Sequence, residues 1–163
     1  MVYTLEIFAD GGCRGNGQPG SIGAAAIIYR QRKHRYRGAR TFTLPRRPTP
    51  TNQRAELMAI ILALESACDK CRDLNTYPRV DVTIYTDSRY AVDCMNQWIH
   101  KWRNNGWIGS SGNPVKNRDL IEGAADAAED LRERGDVKYE WIPRERNFRA
   151  DALVNENMDR QMG

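Results

Sequence analysis

Residues 80–91 read VDVTIYTDSRYA. The first seven are rich in β-branched side chains, the composition of a strand set well inside a sheet. Asp87-Ser88 ends the run and can open a helix, whose inward face would carry Tyr90, Ala91, Met95 and Trp98. A strand that runs through a short polar residue into a helix is the unit from which α/β sheets are built.

Upstream, residues 3–9 alternate, with Tyr3, Leu5 and Ile7 on one face and Thr4, Glu6 and Phe8 on the other. The turn signal Asp10-Gly11-Gly12 is expected to end this strand, with a Gly-rich loop to Gly23. Residues 24–29 (AAAIIY) and 35–44 (RYRGARTFTL) read as a second and a third strand. Pro45, Pro48 and Pro50 then break the chain, and Thr51 or Asn52 can cap a helix with Glu56 in its first turn or so. Leu57, Ile60, Ile61, Leu64 and Cys68 follow helical spacing. Downstream, residues 104–114 (NNGWIGSSGNP) read as a loop-like insert. Leu120, Ala124, Ala128 and Leu131 mark a further helix, stopped at Gly135. Val137–Ile142 reads as a short strand, and a last helix starts near Phe148 or Arg149.

The order is β-β-β-α-β-α-α-β-α. Three leading strands predict an antiparallel meander, and later strands joined through helices predict parallel pairing. The expected fold is α/β: a mixed five-stranded sheet with helices packed on both faces. The 163 residues, 40% of them hydrophobic and 28% charged, fit a single globular domain over 1–163. No apolar run approaches the roughly 18 residues of a membrane span. The N-terminus has no basic region followed by a signal core, so an intracellular, most simply cytoplasmic, protein is expected. Cys13, Cys68, Cys71 and Cys94 are irregularly spaced and are expected to be free thiols. The Cys68-x-x-Cys71 pair has no second pair and no nearby His, and reads as a chance spacing rather than a zinc site.

Four carboxylates stand at predicted element ends: Asp10, Glu56, Asp87 and Asp151. Open sheets place their sites where strands end and helices begin. If the first and fourth strands are neighbours, Asp10 and Asp87 share a region. Clustered carboxylates repel, and hard divalent cations such as Mg²⁺ or Mn²⁺ relieve the repulsion. Two such ions suit hydrolysis of a phosphodiester. Taken singly, Asp87 or Asp151 would serve as readily for a helix cap, and Glu56 as a charge favoured by a helix dipole.

The net charge of +4 is unevenly laid out. Residues 30–47 hold Arg30, Arg32, Lys33, Arg35, Arg37, Arg40, Arg46 and Arg47 with no acid. Residues 98–118 hold Lys101, Arg103, Lys116 and Arg118, again with no acid, interleaved with Trp98, Trp102 and Trp107. Residues 119–140 carry eight acids against three bases. Bases among aromatics suit a sugar–phosphate backbone, although the first cluster also reads as a solvated strand face. Trp98 is expected to pack in the core and Trp107, after Asn-Gly, to be the indole available for contact.

The segments IFADGGCRGNG, TNQRAELMAIILAL, IYTDSRYAVDCMNQWIHKWRNNGW, NPVKNRDLI and NFRADALVN, in that order, resemble type 1 ribonuclease H over about residues 3–157. The resemblance implies an endonuclease that cuts the RNA strand of RNA–DNA hybrids by two-metal-ion catalysis, leaving 5′-phosphate and 3′-hydroxyl ends. It implies two Mg²⁺ ions, with Mn²⁺ as a substitute, on Asp10, Glu56, Asp87 and Asp151. Cys13, Asn16, Asn52 and Arg89 match positions that contact the hybrid, Gln53 stands where many members have Asn, and Thr51 matches a contributor to DNA phosphate binding. Lys101, Trp102, Arg103 and Trp107 match the basic protrusion that holds the DNA strand; Lys116 belongs to the same basic run and Asn117 to a family element. A monomer without membrane association is implied, and no separate hybrid-binding domain is expected ahead of Tyr3. Many members carry a flexible catalytic His before the last helix. Here the segment is WIPRERNFRAD, without His; Arg144, Glu145 and Arg146 stand near its position, and His34 and His100 lie elsewhere in the pattern. That His is not a metal ligand, so its loss implies altered turnover and pH dependence with the metal site kept. The competing readings are a non-catalytic hybrid-binding module, another nuclease of the same fold, and a domain of a larger reverse transcriptase.

Overall fold

The computed structural model describes residues 2–31, 36–74 and 76–163. Five strands form one sheet in the order β3-β2-β1-β4-β5: β1 (Val2–Arg14), β2 (Ile22–Gln31), β3 (Tyr36–Thr43), β4 (Arg79–Thr86) and β5 (Gly135–Trp141). β1 pairs antiparallel with β2, and β2 with β3. β1 pairs parallel with β4, and β4 with β5. The mixed sheet expected from the element order is the one observed.

The alternation in β1 divides the two faces. Leu5, Ile7 and Ala9 are fully buried with Val82 and Ile84 under α1 (Asn52–Arg72), which contributes Leu57, Ile60 and Leu64. α4 (Arg118–Arg132) lies against α1 and adds Ile121, Ala124 and Ala128 to that core. On the opposite face, Val154 and Met158 of α5 (Phe148–Gln161) pack on Ile22, Ala24 and Ala26.

Two boundaries differ from expectation, each for a physical reason. β1 does not turn at Asp10-Gly11-Gly12 but continues through Arg14, with Asp10 paired to Ala26 in mid-strand. A methyl group on Gly11 would overlap the Ala55 carbonyl, so this glycine lets α1 sit directly on the strand. Gly135 is not a helix stop but the first residue of β5, where a side chain would collide with the Val80 backbone. Glu56 falls in the second turn of α1, because Thr51 is the cap and accepts from the Arg54 N–H at 3.1 Å. The helical run after Asp87 is interrupted: α2 (Arg89–Asp93) passes into a π-turn over Cys94–Trp98 and then α3 (Ile99–Asn105). All four cysteines are free. Among the described residues no helix is long and apolar enough to cross a membrane. Arg32, Lys33 and Arg35 of the expected basic cluster, and His34 between them, lie outside the described residues.

Candidate active site

Parallel pairing of β1 with β4 sets Ala9 beside Thr86, so the next residues, Asp10 and Asp87, come together at one end of the sheet. α1 crosses above and supplies Glu56; α5 supplies Asp151 one turn from its start. The four carboxylates line a single cleft of about 560 Å³, with Cys13, Asn52, Trp141, Arg144 and Asn155 among its walls.

Short hydrogen bonds anchored on backbone hold these groups. Ser88 caps α2 by accepting from the Ala91 N–H at 3.0 Å, and its hydroxyl donates to Glu56 Oε2 at 2.6 Å. Trp141 Nε1 donates to the Asp87 carbonyl at 3.1 Å, and the Arg89 guanidinium stacks 4.0 Å over the Trp141 ring. Asn147, nearly fully buried, donates from Nδ2 to the Ala9 carbonyl at 2.9 Å, and its backbone carbonyl accepts from the Asp151 N–H at 3.1 Å. One asparagine thus fixes the strand before Asp10 and the helix turn that carries Asp151. Sequence reasoning gave Ser88 only a boundary role and missed Asn147 and Trp141. A serine after a strand-ending Asp signals a cap, and nothing local signals the other two.

The electrostatics are those of a site short of positive charge. Burial, then the charges of Asp87 and Asp151, push the Asp10 carboxyl up to about 8. Burial raises Glu56, with the Ser88 hydrogen bond working against it. Burial also raises Asp87, opposed by the nearby Arg144 guanidinium. Arg144 stands 3.8 Å from Asp151. Among the described residues no three His, Cys, Asp or Glu side chains close tightly enough to cage an ion by themselves. The carboxylates surround an open cleft instead. Hard oxygen donors with free space between them fit a divalent cation that keeps water and phosphate oxygens in its shell.

A polar groove continues from the cleft. A cavity of about 290 Å³ is lined by Asn16, Thr51, Asn52, Gln53, Lys116 and Asn117, with Asn16 Oδ1 accepting from the Asn52 N–H at 2.9 Å. Asn117 Nδ2 donates to Gln53 Oε1 at 3.3 Å and to the Tyr90 hydroxyl at 3.0 Å. Beyond it lies a cavity of about 550 Å³ walled by Tyr90, Trp98, Lys101, Trp102 and Lys116. Arg103 lines neither and pairs with Glu129 at 3.8 Å. The tryptophans exchange their expected parts. Trp107 is only 8% exposed, because the chain turns back at Gly106 and Trp107 (φ 64°) and drives the indole under the insert. That corrects its expected place as a contact residue. Trp98, expected in the core, is 37% exposed and faces the groove. Cys13 lines the cleft, its Sγ 3.3 Å from the Pro50 carbonyl. His100 lies exposed on α3.

A mixed sheet that presents four carboxylates at its parallel strand ends, beside a groove of amides, lysines and indoles, defines a metal-dependent enzyme that hydrolyses nucleic-acid phosphodiesters. The chain belongs to the RNase H family, whose model matches residues 3–160. It is 37% identical to a ribonuclease H of Alcanivorax borkumensis over 97% of this chain and 93% of that protein. It superposes with a TM-score of 0.75 and 26% identity on LC9-RNase H1, described as a type 1 RNase H with the type 2 active-site motif, over 96% of this chain and 72% of that one. It also matches LC11-RNase H1, solved with an RNA/DNA hybrid, at 28% identity and a TM-score of 0.65 over 98% and 99% of the two chains. The protein is accordingly an endonuclease of the RNA strand of RNA–DNA hybrids.

Proposed function

We propose that this chain cuts hybrid RNA internally with two Mg²⁺ ions held by Asp10, Glu56, Asp87 and Asp151, Mn²⁺ serving as a substitute, and leaves 5′-phosphate and 3′-hydroxyl ends. The observation that carries this reading is the convergence of the four carboxylates on one cleft. Ions held there would activate a water and neutralise charge on the scissile phosphate. Asp10 is the most buried of the four carboxylates that would hold them. Ser88 orients Glu56, and Asn147 sets the spacing between β1 and the Asp151 turn. Arg144 takes the place of the loop His: its guanidinium reaches the cleft beside Asp87 and Asp151, where it can steady a phosphate oxygen.

Asn16, Asn52, Gln53, Lys116 and Asn117 would meet the hybrid beside the cleft, and Lys101, Trp98 and Trp102 the DNA strand beyond it. These are backbone contacts, which support weak sequence preference, while 2′-hydroxyls distinguish RNA from DNA. The protein acts as a monomer. Asp87→Asn tests the assignment: turnover is expected to fall by orders of magnitude with an unchanged circular-dichroism spectrum. Near-normal cleavage by that variant would remove Asp87 from the site.

A further inference from the structure

A second cavity, of about 190 Å³, lies on the α5 face of the sheet and plays no part in the chemistry above. Its floor is apolar: Phe8 and Ile28 from β1 and β2, and Phe148 from the start of α5. Phe8 is held in place from one side by Tyr85, with ring centroids 4.9 Å apart and planes inclined by 20°. Three guanidiniums stand on the rim, those of Arg30, Arg146 and Arg149, and among the described residues no acidic side chain lines the cavity. Arg30 lies 5.5 Å over Phe8 and is tied to Glu6 at 3.1 Å; Arg149 lies 5.6 Å over Phe148. Among the described residues neither Arg146 nor Arg149 makes an ion pair with an acid. Phe148 is 60% exposed, so its ring is open to a ligand.

The position matters as much as the lining. Arg144 and Asp151 wall the catalytic cleft, while Arg146 to Ala150, the residues between them, wall this cavity. The two linings adjoin in sequence, Asp151 directly following Ala150. Two rings with an apolar floor suit the face of a base, and clustered guanidiniums suit its phosphate.

We propose that this cavity binds a single unpaired nucleotide, its base against Phe8 and Phe148 and its phosphate on Arg146 and Arg149. The nucleotide comes either from a single-stranded extension of the hybrid or from free mononucleotide. The first source rests on the hybrid-cleaving function; the second does not.

The full-length protein would be assayed on a blunt hybrid and on the same hybrid with three unpaired nucleotides at the 3′ or the 5′ end of the RNA strand. Alongside, 5′-AMP and inorganic phosphate would be titrated and the phenylalanine ring protons followed by NMR. The expected result is a KM lower by about fivefold or more for one extended hybrid, with kcat unchanged. Phe148→Ala and the double variant Arg146→Gln/Arg149→Gln should abolish that gain and leave blunt-hybrid cleavage as in the parent protein. 5′-AMP should move the ring resonances in the parent and not in Phe148→Ala. Ring shifts with 5′-AMP but no gain from either extension would assign the site to free mononucleotide. Phosphate binding as tight as that of 5′-AMP, without ring shifts, would overturn the nucleotide site, as would the absence of both effects. Failure to cut the blunt hybrid would count against the catalytic reading alone, because the 5′-AMP titration is independent of it.

Discussion

Asp10 concentrates the cost of the active site in one side chain. Without metal its carboxyl, pushed up to about 8, holds a proton at neutral pH. Its folded-state value lies above its unfolded one, so the stability it contributes is fully present below about pH 4 and is lost as pH rises through about 8. In EDTA the melting temperature is therefore expected to fall between pH 6 and pH 9, and Asp10→Asn to melt above the parent at pH 9, by about 2–4 °C for each kcal/mol of repulsion relieved. Identical melting curves for parent and variant at pH 9 would contradict the clustering. Ser88 has two duties, and one substitution reads both. Ser88→Ala should cost about 1 kcal/mol as a lost cap and weaken Mg²⁺ binding about 10- to 100-fold by freeing Glu56. Calorimetric titration of Mg²⁺ into the variant checks the second effect; unchanged affinity would leave Ser88 as a cap alone.

The insert after α3 shows how an element can invert a residue's expected role. Trp107 follows a glycine in left-handed conformation and is carried inward, where it lies 6.1 Å from Trp102. Trp98, nine residues earlier at the end of the π-turn and ahead of α3, is left facing the groove. Trp107→Ala is expected to cost about 3–5 kcal/mol of stability, and Trp98→Ala to leave denaturant midpoints nearly unchanged while weakening hybrid binding. The reverse pattern in chemical denaturation and binding titrations would restore the expectation drawn from sequence. Periodicity was readable wherever one face is buried and the other is not, as in Leu5, Ile7 and Ala9 or in the α4 stripe. It failed at Gly11 and Gly135, because a glycine that makes room for a neighbouring backbone looks, in sequence, like one that turns the chain. The carboxylates were readable as residues at element ends. Their convergence was not, since it depends on parallel pairing between β1 and β4, strands separated by two more strands and a long helix. Only the resemblance of whole segments to ribonuclease H supplied it.

At the scale of the molecule, charge is sorted as the function requires. The acids of residues 119–140 lie on α4 and β5, where several are matched by ion pairs: Arg54 with Asp119 at 2.7 Å, Arg103 with Glu129, and Arg79 with Asp136 at 2.7 Å. Lys101 and Lys116 line the groove and make none of the ion pairs found among the described residues. A net charge of +4 thus conceals a groove with bases at one end and a cleft of carboxylates at the other. On the proposed reading a polyanion is drawn to the first and would be cut at the second once cations occupy it. If these two regions act on one substrate, the protein's specificity shows it: the protein is incubated with a labelled RNA–DNA hybrid in Mg²⁺, in Mn²⁺ and in EDTA, beside duplex RNA, duplex DNA and single-stranded RNA. Internal cuts confined to the RNA strand of the hybrid, present with either ion and absent in EDTA, are the expected result. Tight hybrid binding without cleavage under either ion would contradict it and reduce the protein to a hybrid-binding module.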